Sequence, residues 1–268
     1  MRRTFFTMTI GVLVCFLLSI SLSGQQTTSP SSQASLYLQR SYFQLVGNIS
    51  IADVTLTGSV RRIAGSDDET GSAIFKALSS GAARADLSLS SGPRSELQSL
   101  SAASGTPTGN WSGPDGIAHP IAFQNLLSEP AWFFPAFAIS RRLAVGYVAT
   151  NVGIESIDGN SVDHISVCQS SSLPTSVGIP SIQHLTQVEF FLDPATLLPL
   201  AISFNTHPDD NVLLDIPVEI RFSDYKVING VQVPFHIQKF FNGSLSLDVQ
   251  VQNVVINSGL SASEFTIQ

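Results

Sequence analysis

Charge is what this sequence lacks most. Asp, Glu, Lys and Arg make up 12% of its 268 residues, against about a quarter in average soluble domains. Basic residues are the scarcer sign, 13 against 20 acidic, for a formal net charge of −7. A nucleic-acid binder draws its affinity from Lys and Arg that neutralise phosphates. Here the basic pairs are Arg2-Arg3, Arg61-Arg62 and Arg141-Arg142, so nucleic acid is excluded as a partner. Cysteine is nearly absent, with only Cys15 and Cys168. Catalytic signatures are missing too. There is no Gly-x-Ser-x-Gly elbow, phosphate-binding glycine loop, His-Glu-x-x-His or paired-cysteine metal spacing. These absences predict a chain that is not an enzyme and carries no cofactor and no metal.

One long apolar run is present, at the start. Arg2 and Arg3 precede an uncharged stretch from Phe5 to Leu22, followed by Ser23 and Gly24. That is the order of a secretory signal peptide, with small residues at Ser21 and Ser23 for cleavage. The alternative is an uncleaved membrane anchor, since the run approaches spanning length. Cys15 follows Val14, where a lipid-attachment site wants a small residue. Losing the leader leaves Cys168 alone, hence no internal disulfide even in an oxidising compartment. The chain divides into a signal peptide at 1–24, a disordered lead-in at 25–35 rich in Gln, Thr, Ser and Pro, and one domain at 36–268. Export to a periplasm or the exterior follows.

Within the domain, Leu36 to Gly47 has the spacing of a short amphipathic helix. The period then becomes two. Val54 and Leu56, Ile74 and Leu78, and Ala83, Ala85, Leu87 and Leu89 predict strands, with turns at Asp67-Asp68 and Ser79-Ser80-Gly81. Ser90 to Asp115 has the composition of a loop. Pro120, Pro130 and Pro135 break Ile117–Ile139 into two short helices, or a helix and a broken turn. The second half predicts hairpins at Asp158-Gly159, Asn229-Gly230 and Asn242-Gly243. In the last strand Leu245, Leu247, Val249 and Val251 share one face, and a slip at Asn253 predicts a β-bulge. The sum is an α+β, mainly β chain with an antiparallel, meandering sheet whose apolar face needs a cover. Ile117–Ile139 is the natural one.

That segment holds the aromatic cluster Trp132, Phe133, Phe134 and Phe137. Over an apolar sheet face, such rings either gate a lipid-sized cavity or complete a filled core. In the first reading, Val188, Ile202, Ile220, Phe222, Phe235, Leu247 and Val249 line the cavity. His207-Pro208-Asp209-Asp210 reads as a solvated turn rather than a metal loop, and His164 and His236 as exposed strand residues. Cys168 reads as a packing residue at a strand end.

The order of these elements resembles the outer-membrane lipoprotein carrier (LolA-like) superfamily. The likeness is densest from Val188 to Ile267. Phe191-Leu192-Asp193-Pro194 and Leu198-Pro199 share a hairpin there, and Phe222-Ser223-Asp224-Tyr225 leads into Val227-Ile228-Asn229-Gly230-Val231-Gln232-Val233-Pro234-Phe235. Asn257-Ser258-Gly259-Leu260 then precedes Phe265. The resemblance implies a curved, half-open antiparallel β-barrel with helices over its concave apolar face. It implies a hydrophobic ligand, a lipid or an acyl chain, with an envelope lipoprotein or membrane receptor as partner. It also implies an arginine that holds the lid, for which Arg84, followed here by Ala85 instead of proline, is the counterpart. A ligand-free interaction or sensory module on the same fold is the alternative.

Overall fold

Tight turns set the register of the sheet. Asp158 and Gly159 have φ of 49° and 81°, Asn229 and Gly230 50° and 86°, and Asn242 and Gly243 48° and 75°. Two successive positive φ values make a type I′ turn, whose twist matches paired strands and which Asn-Gly and Asp-Gly tolerate best. The structure, a computed structural model, describes residues 30–100, 106–170 and 182–266. The signal peptide, its cleavage site, Cys15 and the start of the lead-in lie outside the described residues.

In chain order the elements are α1 (Pro30–Val46), β1 (Asp53–Ala64), β2 (Asp67–Leu78), β3 (Ala83–Leu89), β4 (Gly92–Leu100), β5 (Pro107–Ser112) and β6 (Ala118–Pro120). A 3₁₀ turn (Phe123–Leu127) and α2 (Pro135–Arg142) follow. Then come β7 (Tyr147–Ile157), β8 (Asn160–Gln169), α3 (Ile182–Leu185), β9 (Val188–Leu192), β10 (Pro199–Thr206), β11 (Ile216–Ile228), β12 (Val231–Phe241), β13 (Ser244–Ile256) and a 3₁₀ turn (Ala262–Phe265). The strands form one sheet in the order β6-β5-β4-β3-β2-β1-β13-β12-β11-β10-β9-β8-β7, and every neighbouring pair is antiparallel. The half-open, mainly β architecture expected from the sequence is therefore the observed one.

This order has a consequence for the cover. The two sheet edges, β6 and β7, are consecutive in the chain, so residues 121–146 must run from one edge to the other. They do so across the apolar face. Trp132, Phe133, Phe134, Phe137 and Ile139 join the same core cluster as Phe75, Phe190, Ile220 and Ile237 from the strands. Pro135 occupies the first turn of α2, where its missing N–H costs nothing. α1 lies beside α2 and against β7 and β12; Leu38 and Leu45 are buried in that core, and the Tyr37 hydroxyl donates to Asp163 Oδ2 at 3.1 Å.

Several local readings change. β4 and β5 occupy the stretch read as a loop, because their pairing satisfies the backbone while their side chains stay mostly polar and half-exposed. α1 begins at Pro30, inside the segment read as a lead-in, and Ala34 is buried. The β1–β2 turn falls at Gly65-Ser66, and Asp67 and Asp68 pair with β1. In β2 the buried phase is Ala73, Phe75 and Ala77, while Ile74 faces out. On β7, Val152 and Ile154 are exposed. The bulge in β13 stands as read: Thr57 pairs with Asn253 and Gly58 with Val251, so Gln252 is the extra residue. A Cβ on Gly58 would lie 2.1 Å from Gln250 O, a close approach only glycine allows.

The C-terminal segment is fastened at Asp53, which is 2% exposed. Its carboxylate accepts hydrogen bonds from Ser258 N and Ser258 Oγ, both at 2.8 Å, and from Gly259 N at 2.9 Å. Burial pushes this group toward protonation, but the Ser258, Gly259 and Leu260 donors outweigh it and hold the carboxyl below its usual range. A folded-state pKa that is depressed adds stability above the unfolded value, about 3.9, and loses it as pH falls through the folded value. Asp53→Asn is therefore expected to cost about 1–3 kcal/mol at pH 7. Urea unfolding of both proteins should show the gap closing as the pH drops below about 4; a gap that persists at pH 2 refutes the charge argument.

Candidate ligand-binding groove

Where the cover meets β12 the apolar face is not sealed. Trp132 is 3% exposed; its ring sits edge-on to Phe75, with centroids 5.5 Å apart, and to Phe133 at 5.6 Å. Phe133 leans on Phe75 at 5.0 Å. Above Trp132, Lys239 Nζ stands 4.6 Å from the ring centroid, within range of a cation–π contact. Lys239 occupies the strand phase of Phe235 and Ile237, which is the buried one. It makes no ion pair among the described residues.

Lys239 lines three neighbouring cavities. One of about 240 Å³ runs between Trp132, Asn125, Phe204, Val218 and Phe241. A second of about 240 Å³ is walled by Phe75, Leu87, Trp111, Trp132 and Leu247, with Arg94 and Glu96 at its polar side. A third of about 640 Å³ opens over Ile63, Leu87, Phe241, Leu245 and Leu247. Together they form a groove along β1–β5, β12 and β13, floored by apolar side chains and crossed by Trp132. Trp111 stacks on His119 with ring centroids 4.4 Å apart at its rim.

At the wall of the first cavity, the covering segment carries a buried ion pair. Glu129 and Arg142 have fully buried side chains 3.4 Å apart, and Arg141 reaches Glu129 at 3.9 Å. Glu129 Oε1 accepts from Ala131 N at 3.0 Å, which pins the turn before Trp132. Burial pushes the Arg142 guanidinium toward deprotonation, and Glu129 pulls it back.

The expected site residues separate into two groups. Trp132 and Leu247 border the groove. Phe133, Phe134, Phe137, Val188, Ile202, Ile220, Phe222, Phe235 and Val249 share the apolar phase but lie inside the packed core. Among the described residues, the hydrogen bonds of Arg84 run to other elements than the covering segment. Arg84 projects from the other face of β3, bonds Asp86 Oδ2 at 2.7 Å, and donates to the carbonyls of Glu264 and Thr266 at 3.2 Å, so it ties down the C-terminal segment instead. Phe75, Leu87, Trp111 and Lys239 are groove residues that the sequence reading passed over. Lys239 had a signal, since alternation from Phe235 and Ile237 places it inward; Trp111 had none within a presumed loop.

His164 and His236 lie on the polar face as read, but neither is free in solvent. His164 is held between Glu155 and Glu189, each at 2.7 Å, and stacks on Phe191. His236 bonds Asp248 at 2.9 Å and Ser223 Oγ at 3.1 Å. This Ser–His–Asp string spans three paired strands, β11, β12 and β13. Their amides belong to the ladder, whereas acyl transfer needs free donors aimed at an oxyanion. Cys168 is half-buried, and burial, with Glu189 nearby, pushes its thiol above the ordinary value, the opposite of an activated nucleophile.

No family model matches the sequence, and no curated protein matches it. Solved structures do. A domain from Vibrio parahaemolyticus described as an outer membrane lipoprotein-sorting protein superposes with a TM-score of 0.55 at 13% identity, covering 88% of this chain and 97% of that one. A DUF1329 family protein from Desulfovibrio piger gives 0.54 at 13% identity, over 90% and 100%. A LolA superfamily protein from Nitrosomonas europaea gives 0.52 at 13% identity, over 87% and 97%. At such identity the likeness is one of fold, and it agrees with the element order that prompted the resemblance: the chain is built on the LolA-like fold.

Proposed function

We propose that the chain is a non-enzymatic binding protein of the cell envelope that holds a hydrophobic ligand, a lipid or a lipoprotein acyl chain, in this groove. The observation that carries the reading is the unsealed apolar floor between Phe75, Leu87, Phe241 and Leu247, shared by the second and third cavities, with Lys239 and Trp132 leading into the more polar first one. Apolar clefts with few polar groups are where such ligands bind. Lys239 and Arg94 in the groove walls would orient an anionic head, and the rest of the floor would take the chain. Export by the leader would bring the protein to such ligands, with an envelope lipoprotein or membrane receptor as donor or acceptor. The fold shared with a lipoprotein-sorting domain supports this choice.

Native mass spectrometry of residues 25–268 purified from a bacterial periplasm, followed by solvent extraction, tests it. Bound mass that extracts as lipid is the expected result. Leu247→Asp places a charge in the half-buried groove wall without opening the core, and should weaken retention of added fatty acid at least about tenfold. A clean unliganded mass, with no uptake of fatty acid or phospholipid, overturns the proposal and leaves the ligand-free interaction module. The complete burial of Phe133 and Phe134 is the feature that favours that second reading.

A further inference from the structure

A second constellation lies beside the groove, at the open end of the β10–β11 loop. His207 follows β10, Asp215 precedes β11, and His184 sits in α3. His184 Nε2 is 2.9 Å from Asp215 Oδ1, and His207 Nδ1 is 3.5 Å from the same oxygen. One donor atom from each residue lies within 4.8 Å of the others. The segment His207-Pro208-Asp209-Asp210, which reads as a solvated turn, is therefore not solvated at its histidine. His207 is 3% exposed, and its Nε2 has no hydrogen-bond partner among the described residues.

We infer that His184, His207 and Asp215 form a binding site for a divalent transition metal ion, with zinc as the ion the donor set fits best. Two imidazoles and one carboxylate are the borderline ligands that zinc takes, and zinc accepts three protein ligands with water in the fourth position. Donors about 2.0–2.2 Å from a tetrahedral ion stand about 3.3 Å apart, so the two spacings to Asp215 need only small adjustment. His184 and Asp215 are partly exposed, which leaves a path for the ion and room for water.

Both arms of the site are held before any ion arrives. Asn125, from the 3₁₀ turn, brackets the His207 backbone: its Nδ2 donates to His207 O and its Oδ1 accepts from His207 N, each at 2.8 Å. Gln124 Nε2 donates to the Pro208 and Asp209 carbonyls at 3.2 and 3.3 Å. On the other arm, buried Thr186 accepts from Gln169 N at 2.9 Å and donates to Ile182 O at 2.6 Å, which fixes α3 to β8. Outer contacts that orient ligands in this way matter to affinity. Binding through His207 Nδ1 would replace its 3.2 Å contact with Leu214 O and would clip α3 to the loop that borders the groove at Asp209.

The test uses the full, tag-free chain, stripped with a chelator and titrated with zinc and with cobalt(II) as a visible reporter. One ion per chain is expected, with the absorption of a low-symmetry cobalt site. His184→Gln and Asp215→Asn, both at partly exposed positions, should each weaken binding at least about tenfold, with circular dichroism unchanged. His207→Gln should do the same; because His207 is buried, the His184 and Asp215 variants decide the matter if that protein does not fold. His164→Gln, which removes a histidine equally close to carboxylates, should leave the stoichiometry and affinity intact. Absence of saturable uptake overturns the inference and leaves a hydrogen-bonded His–Asp–His cluster, as does uptake that survives His184→Gln or is lost with His164→Gln.

Discussion

Glu129→Ala should destabilise the protein by about 3–5 kcal/mol, one of the two largest single-residue effects expected in this structure. The reason is what it leaves behind. Arg142 is wholly buried, and its Nε, Nη1 and Nη2 have no hydrogen-bond partner among the described residues. Its compensation is the Glu129 carboxylate at 3.4 Å and the face of Tyr147, with the guanidinium carbon 5.1 Å from the ring centroid. Removing the carboxylate strands a cation in an apolar surround, which costs more than the pair itself is worth. Replacing both partners, as in Glu129→Ala with Arg142→Met, should recover most of the loss, because an apolar pair of similar size can match a buried ion pair. Guanidinium unfolding of the three variants measures this through the midpoint at constant slope. If Glu129→Ala costs less than about 1 kcal/mol, water reaches Arg142 and the argument fails.

Phe133→Ala is the second large effect, about 3–5 kcal/mol. Phe133 is 1% exposed and packed on Phe75 and Trp132, so truncation forfeits ring burial and opens a void that close-packed neighbours fill only in part. This measurement also separates the two roles that the aromatic segment could play. A gating ring that swings clear of the sheet would cost little stability when removed and would change ligand retention instead. A core ring costs stability with or without ligand. The packing assigns Phe133 to the core and leaves Trp132, under Lys239 and at the border of two cavities, as the aromatic that a bound chain would meet.

Much of the fold was legible because its signals are local. Asn229-Gly230 and Asn242-Gly243 specify positive φ at adjacent residues, and few other backbones accept that combination. Pro130 and Pro135 forbid a long helix between Ile117 and Ile139 whatever surrounds them. The slip in β13 could be read because a bulge shifts a period of two by one residue. The misreadings have equally definite causes. β4 and β5 offer little apolar alternation, since their stability comes from ladder bonds to neighbours that arrive from elsewhere in the chain. Ile74 misled the phase of β2, because Ala73 and Ala77 are too small to announce a buried face beside an isoleucine. Alternation already set Arg84 opposite Ala83, Ala85 and Leu87, but its contacts with the C-terminal segment join residues about 180 positions apart and leave no local signal.

The sequence alone determined the architecture: antiparallel hairpins with one apolar face, and a proline-broken aromatic segment to cover it. Those properties follow from backbone preferences and from a period that each strand carries by itself. Tertiary structure decided which of the apolar residues form a closed core and which leave a groove. Volume depends on how side chains distant in sequence interlock: Phe75 with Phe133, Trp132 with Lys239, Leu87 with Leu247. It likewise decided that His184, His207 and Asp215 meet, because the contact joins α3 to the β10–β11 loop, and the strands between them set that approach.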